Sequence, residues 1–308
     1  MNDARTTQSD LGALKESIGR YGIWSLALRV DDPARRSDLG HAARELEDIG
    51  YRAAWVGGGS VRHARAVIEE TAHLTVGTSI QRIWDHEASE VAKEFAEVQA
   101  AHPGRFLLGL GVGHAGAVER YHQPYSAMVG YLDALDAVGQ PGERRFLAAL
   151  GPKMLKLARD RSIGAFPYMS TTAHIAQARE SLGEGPLLAP EVKVVLESDP
   201  DRARAVARLH VGPSLSAPNY ARSFLRSGFA EKDLAGGGSD RLVDAIVIWG
   251  DEVRVRERLE AFFAAGADHV AVQLLTDAPP VMEYKTAGQA LDTRLREGWR
   301  RLGRILFA

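Results

Sequence analysis

Apolar residues fall along this chain in short, nearly continuous runs, and between the runs they recur at helical spacing. The runs are 22–28, 53–57, 74–80, 105–111, 145–150, 163–167, 192–196 and 269–275. Continuous rather than alternating hydrophobicity is what strands buried on both faces require, and amphipathic helices between them supply the second cover. The pattern therefore predicts a parallel sheet. Residues 38–49 set Leu39, Ala42, Ala43, Leu46 and Ile49 three and four apart, with Gly50 placed to end the helix; residues 88–101 do the same with Val91, Phe95 and Val98. Eight strand–helix units in this order predict an α/β fold, a (β/α)8 TIM barrel, with an open doubly wound sheet as the second architecture.

One stretch departs from the repeat. After the seventh run the sequence predicts a helical insertion at about 198–250, with helices over 200–210, 219–225 and 240–249, and a further helix over 252–265. It follows a strand on the face where barrels build their active sites, so a lid or substrate wall and plain packing against outer helices are equal readings. The glycines at 236–238 read as a turn, with Ser239 or Asp240 capping the next helix. Residues 1–20 read as an N-terminal extension, disordered to about Asp10, and 21–308 as one barrel domain.

Composition narrows the function classes. A net charge of -2 with interspersed signs offers no field for nucleic acid or an anionic membrane. The chain has no cysteine, hence no disulfide, thiolate metal site or cysteine nucleophile, and redox chemistry must come from a cofactor. No run approaches a membrane span and the N-terminus does not read as a signal peptide, so a cytoplasmic protein is expected.

In a barrel, chemistry sits just past the C-terminal end of each strand. After the second run comes Gly57-Gly58-Gly59, either a flexible turn or a place where a flat ligand approaches the backbone. The third ends in Ser79 and Ile80 and leads to Trp84, Asp85 and His86, where Trp84 is a candidate cavity residue. No metal-ligand spacing occurs, and no metal is expected. After the fourth stand Gly109, Gly111, Gly113 and then His114, with room for a planar ring and a side chain suited to proton transfer. After the fifth, Gly151-Pro152-Lys153-Met154 opens a helix whose free N–H groups and lysine form an anion seat. No nucleophile elbow, Walker loop or paired-carboxylate signature is present.

These turns occur in the order found in a known family. The pieces are ELEDIGY at 45–51 with AWVG at 54–57, VGTSI at 76–80, PGRFLLGLGVGH at 103–114, YLDAL at 131–135 and AALGPKML at 148–155. GAFPY at 164–168, PNY at 218–220, AGGGSDRLVDA at 235–245 and AGADHV at 265–270 follow. In series they resemble the luciferase-like monooxygenase superfamily, and most of all its actinobacterial F420-dependent oxidoreductase branch. The resemblance implies a barrel, commonly a homodimer, that holds coenzyme F420, or alternatively FMN, at its mouth. It implies a phosphate on residues 151–154 and a non-prolyl cis bond between Ser79 and Ile80. It places Gly57, Gly58, Ser79, Ile80, Gly111, Gly113 and His114 around the ring and Trp24, Trp84, Tyr121, Tyr168 and Tyr220 around a small-molecule or peptide substrate.

Where some F420 dehydrogenases carry an acid and a histidine after the second strand, this chain has Gly58 and Gly59, which argues against a sugar-phosphate dehydrogenase. His114 is then the leading proton donor, with Tyr121, His122 and Tyr220 behind it. The readings are an F420H2-dependent reductase or F420-dependent dehydrogenase, an FMN-dependent monooxygenase, and a barrel that binds the coenzyme without catalysis.

Overall fold

Tyr21–Ser25 forms the first strand, β1, and every strand that follows it pairs in parallel. The computed structural model describes residues 8–114, 121–278 and 291–308. Before β1 lies helix α1 (Gln8–Ile18); after it come α2 (Arg36–Ile49), β2 (Ala53–Gly57), α3 (Val61–Ile68), β3 (Thr75–Ser79) and β4 (Gln81–Arg82). Then follow α4 (Ala88–Ala101), β5 (Phe106–Gly111), α5 (Pro124–Ala137), β6 (Arg145–Leu147), α6 (Pro152–Arg161), β7 (Gly164–Ala165) and α7 (Thr172–Leu182). The last third holds β8 (Leu187–Leu188), β9 (Glu191–Val195), α8 (Pro200–Leu215), α9 (Pro218–Arg226), α10 (Glu231–Leu234) and α11 (Asp240–Ile246). It ends with β10 (Val247–Trp249), α12 (Glu252–Ala264), β11 (Val270–Leu274) and α13 (Thr293–Phe307).

The sheet order is β10-β9-β11-β1-β2-β3-β5-β6-β7-β8, with β4 beside β5. Its curl is legible in the hydrogen bonds around Ala189 and Pro190, which join β8 to β9. The Ala189 amide donates to the Ala165 carbonyl of β7, and the Ala271 amide of β11 donates to the Pro190 carbonyl on the other side. One segment, 187–195, thus pairs with both flanks, giving the sheet its TIM-barrel-like form. β7 is shorter than the run predicted at 163–167, and β8 falls where no run was predicted. β1 stops at Ser25, whose side chain accepts from the Ala27 amide and turns the chain into a 3-10 turn at Leu26–Leu28.

Alternation along the strands divides the core. Ile23, Ala54, Val56, Val76, Leu108, Leu110, Val192, Val194, Val272 and Leu274 face the helices in one large cluster. Trp24, Ala53, Trp55, Leu107, Phe146, Phe166, Ala189 and Ala271 face inward in another. The predicted helices over α2 and α4 form, and Gly50 ends α2 at φ 111°, its N–H returning to Glu47 and Leu46.

Two expectations need correction. The extension up to residue 20 is not merely a tail, because α1 sends Leu14 and Ile18 into the inward cluster and plugs the N-terminal end of the barrel. The helix expected over 240–249 stops at Ile246, and Val247–Trp249 pair with Lys193–Val195 as strand β10. The stretch after β9 is therefore four helices and a strand rather than helices alone. Ser239 caps α11 by accepting from the Leu242 amide, as a plain structural turn requires. No helix among the described residues is long and apolar enough to cross a membrane.

Candidate active site

Where the strands end, the interior opens into a cavity of about 650 Å³. Its lower wall is fixed by the end of β3. The Ser79–Ile80 peptide is cis. Trp24 donates from Nε1 to the Ser79 hydroxyl at 2.9 Å and to the Ser79 carbonyl at 3.2 Å, and the Gly58 amide donates to that same carbonyl at 3.1 Å. Gly58, Ser79, Ile80 and Trp24 all line the cavity.

The glycines of β5 serve a purpose other than the one expected. A Cβ on Gly109 would lie 2.0 Å from the Thr78 carbonyl and 2.3 Å from the Phe146 ring, and one on Gly111 would lie 2.6 Å from the Ile80 side chain. These two make room for protein, not for a ligand. Gly57 likewise yields to the Trp24 ring, at 2.6 Å. Of the expected ring-contacting glycines, Gly58 and Gly113 line the cavity, while Gly57 and Gly111 stand behind it and shape its wall. Trp84 is also absent from the lining: its indole donates to the Val112 carbonyl at 2.8 Å and its ring packs beside Tyr121 and His122.

His114 lines the cavity beyond Gly113, half-buried, with its ring 6.3 Å from Tyr220. Burial, with the Arg82 charge adding to it, holds its imidazole below the usual histidine range. Across the mouth, α6 begins at Gly151 with Pro152 in its first turn and no side-chain cap, so the amides of Lys153 and Met154 are turned to the cavity end of the helix. Leu150, just before it, accepts from Arg226 at 3.2 Å and pairs with His174 Nε2 at 2.9 Å. Tyr121, Tyr168 and Tyr220 complete the set of expected residues that the structure brings to one cavity.

Several lining residues escaped the sequence reading. Lys193 lies inside β9 and is buried with Glu191, its Nζ 2.8 and 2.9 Å from the two carboxylate oxygens and 3.7 Å from the Tyr168 ring centroid. Burial pushes the carboxyl up and the ammonium down, and their mutual attraction opposes both shifts. The signal was present: Glu191 and Lys193 interrupt an apolar run at period two, which marks an inward face. Arg29, Arg82, Arg222 and Arg226 also reach the cavity, and no Asp or Glu among the described residues lines it. Among the described residues no acid and histidine cluster is arranged to hold a metal ion.

A curled parallel sheet, helices on its outer face and a cavity at the C-terminal strand ends define a TIM-barrel-like fold. The family model described as luciferase-like monooxygenase matches residues 21–140 of the chain. Solved structures extend the fold over most of the rest. An F420-dependent secondary alcohol dehydrogenase in complex with an F420-acetone adduct aligns at TM-score 0.68 and 14% identity, covering 93% of this chain and 98% of that one. The coenzyme F420-dependent tetrahydromethanopterin reductase from Methanopyrus kandleri aligns at 0.69 and 17%, over 94% and 98%. The oxygenating constituent of 3,6-diketocamphane monooxygenase from Pseudomonas putida, in complex with FMN, aligns at 0.61 and 14%, over 83% and 92%. No curated protein matches the chain in sequence.

Proposed function

We propose that the cavity holds coenzyme F420 and that the chain is an F420-dependent oxidoreductase, working as an F420H2-dependent reductase on an organic substrate. The observation that carries this reading is the cationic lining near the start of α6, Lys153, Arg222 and Arg226, with no carboxylate among the described lining residues; Arg29 and Arg82 also reach the cavity, paired with Asp31 and Asp85. A coenzyme with a long, multiply anionic tail suits that lining better than FMN, whose single phosphate needs only the α6 end. Two of the solved structures with this fold are described as F420-dependent, which agrees with it, and one is a complex with FMN.

The residues fit the group at both ends. The free amides at the start of α6, with Lys153 and Arg226 beside them, suit a phosphate. The Asn219 Oδ1 is buried without a hydrogen-bond partner on the cavity wall, an acceptor suited to a ligand N–H. When bound, the deazaflavin supplies the hydride. The flat wall of Trp24, Gly58 and the Ser79–Ile80 peptide orients the ring, and His114 holds the proton. Because burial keeps His114 neutral near pH 7, it takes up a proton before donating it, so reduction should quicken as pH falls toward its depressed pKa.

Parallel titration of the purified protein with F420 and with FMN, under one buffer and by fluorescence quenching, tests the coenzyme. Micromolar or tighter F420 binding with weak FMN binding is expected. Preference for FMN would move the case to an oxygen-using monooxygenase.

A further inference from the structure

A row of aromatic rings crosses the cavity. Trp24 and Tyr168 have centroids 5.4 Å apart, Tyr168 and Tyr220 6.1 Å, and Tyr220 and His114 6.3 Å, each pair tilted between 47° and 54°. The row starts on β1, crosses to the turn after β7, rises to α9 and ends on the turn after β5. Rings so spaced present apolar faces and edges that favour another flat ring over a flexible chain. A hydroxyl-rich substrate such as a sugar needs carboxylate acceptors, and none lines the cavity among the described residues.

Beneath the row lies a feature that stability does not account for. Glu191 and Lys193 form an ion pair with 0% and 2% of their side chains exposed, and such pairs are commonly matched or bettered by apolar residues of similar size. The Lys193 ammonium stands 3.7 Å from the Tyr168 ring centroid, close enough for a cation–π contact, and Glu191 also accepts from the Met169 amide at 3.2 Å, fixing the backbone next to Tyr168. The pair grips one residue from two sides.

We propose that the substrate is a planar, conjugated ring compound stacked on Tyr168 and Tyr220, and that the Glu191–Lys193 pair is a positioning device that holds Tyr168 as the platform. This rests on the oxidoreductase reading for its meaning in turnover, but the binding claim stands on the cavity alone.

Calorimetric titration with menadione, a flat naphthoquinone, tests it, with isopropanol and glucose 6-phosphate as non-planar comparisons and F420 titrated in parallel. Menadione should bind and the other two should not at equal concentration. Tyr168→Leu and Tyr220→Leu keep apolar volume but remove the ring, and each should weaken menadione about 3- to 10-fold. The double replacement Glu191→Gln with Lys193→Met removes both charges without leaving one unpaired. It should weaken menadione by a similar factor in the wild-type background and by much less in Tyr168→Leu, since the two changes act through one ring.

Absence of menadione binding, or tyrosine variants that bind it as the wild type does, would overturn the substrate class. A pair replacement that is silent, or that adds fully to Tyr168→Leu, would overturn the positioning role. Variants that weaken F420 instead of menadione would give the platform to the coenzyme and end the proposal. If F420 fails to bind while the menadione pattern holds, the coenzyme is wrong and the aromatic platform stands.

Discussion

Beneath the cavity Trp55, Phe146 and Phe166 pack with ring centroids 5.0 to 5.4 Å apart, Phe166 forming part of the cavity floor, and α1 closes the N-terminal side of the same cluster. Toward the C-terminal ends of β3, β9 and β11, Ser79, Lys193 and Gln273 line the cavity. The lower end spends its interior on large rings and leaves no room; the upper end places short or charged side chains and leaves about 650 Å³. The polar atoms differ in the same way. His269, fully buried below, uses both ring nitrogens, one at 2.9 Å from the Trp55 indole and the other at 2.7 Å from the Gly19 carbonyl. Above, Asn219 keeps a buried oxygen with no partner. Stability and binding are thus divided along the barrel axis, as is general for barrels whose function sits at the strand C-termini.

Truncation at the lower end should show the largest effect. Trp55→Ala removes a fully buried indole and strands His269, and should cost about 3–5 kcal/mol by urea unfolding. Tyr220→Leu, half-buried at the mouth, should cost about 1 kcal/mol or less while acting on ligand affinity. Equal losses at both positions would erase the division.

The pH dependence of stability sharpens the same contrast. Burial lowers the His269 pKa to about 4, against about 6.5 for an unfolded histidine. The unfolded chain therefore binds the proton first as pH falls. The contribution of neutral His269 is full above pH 6.5, declines between there and about pH 4, and amounts to about 3 kcal/mol at most. His269→Gln should be less stable at pH 7 yet lose less on acidification, because that titration is gone. His63, His174 and His210 are lowered by burial as well and act in the same direction, so the difference between the two proteins is the informative quantity.

At the upper end, His114→Ala should slow turnover by about 100-fold with coenzyme affinity much less changed, and should remove the acceleration of reduction at lower pH. Unchanged turnover would leave His114 as wall only.

What the sequence disclosed follows from burial. Strands covered on both faces write themselves as apolar runs, so β1, β2, β3, β5, β9 and β11 were legible, and so were α2 and α4 by their spacing. β10 was not, because Val247, Ile248 and Trp249 continue the apolar spacing of α11 and only the partner strand decides between helix and strand. The plug α1 carries Leu11, Leu14 and Ile18 at helical spacing, but a polar setting hid its role. In the site, residues at strand ends were found from position alone, while Gly109 and Gly111 misled: a glycine makes room, and the sequence does not say for what. The room goes to Phe146 and Ile80. Trp84 misled for a related reason, since an aromatic near the mouth has two ways to turn and its indole turns to Val112.

The smallest effect is the most local. Lys153 and Arg226 are both exposed at the cavity edge beside the start of α6, so replacing both by Ala should leave folding nearly intact. If a phosphate sits on the α6 amides, each cation adds a screened attraction while the backbone N–H groups remain. The double variant should then bind F420 about 10-fold more weakly at low salt, and the gap should narrow as ionic strength rises. Wild-type affinity itself should fall with salt, because its excess is electrostatic. An unchanged affinity would move the anionic tail away from the start of α6, and with it the direction in which the coenzyme lies across the barrel.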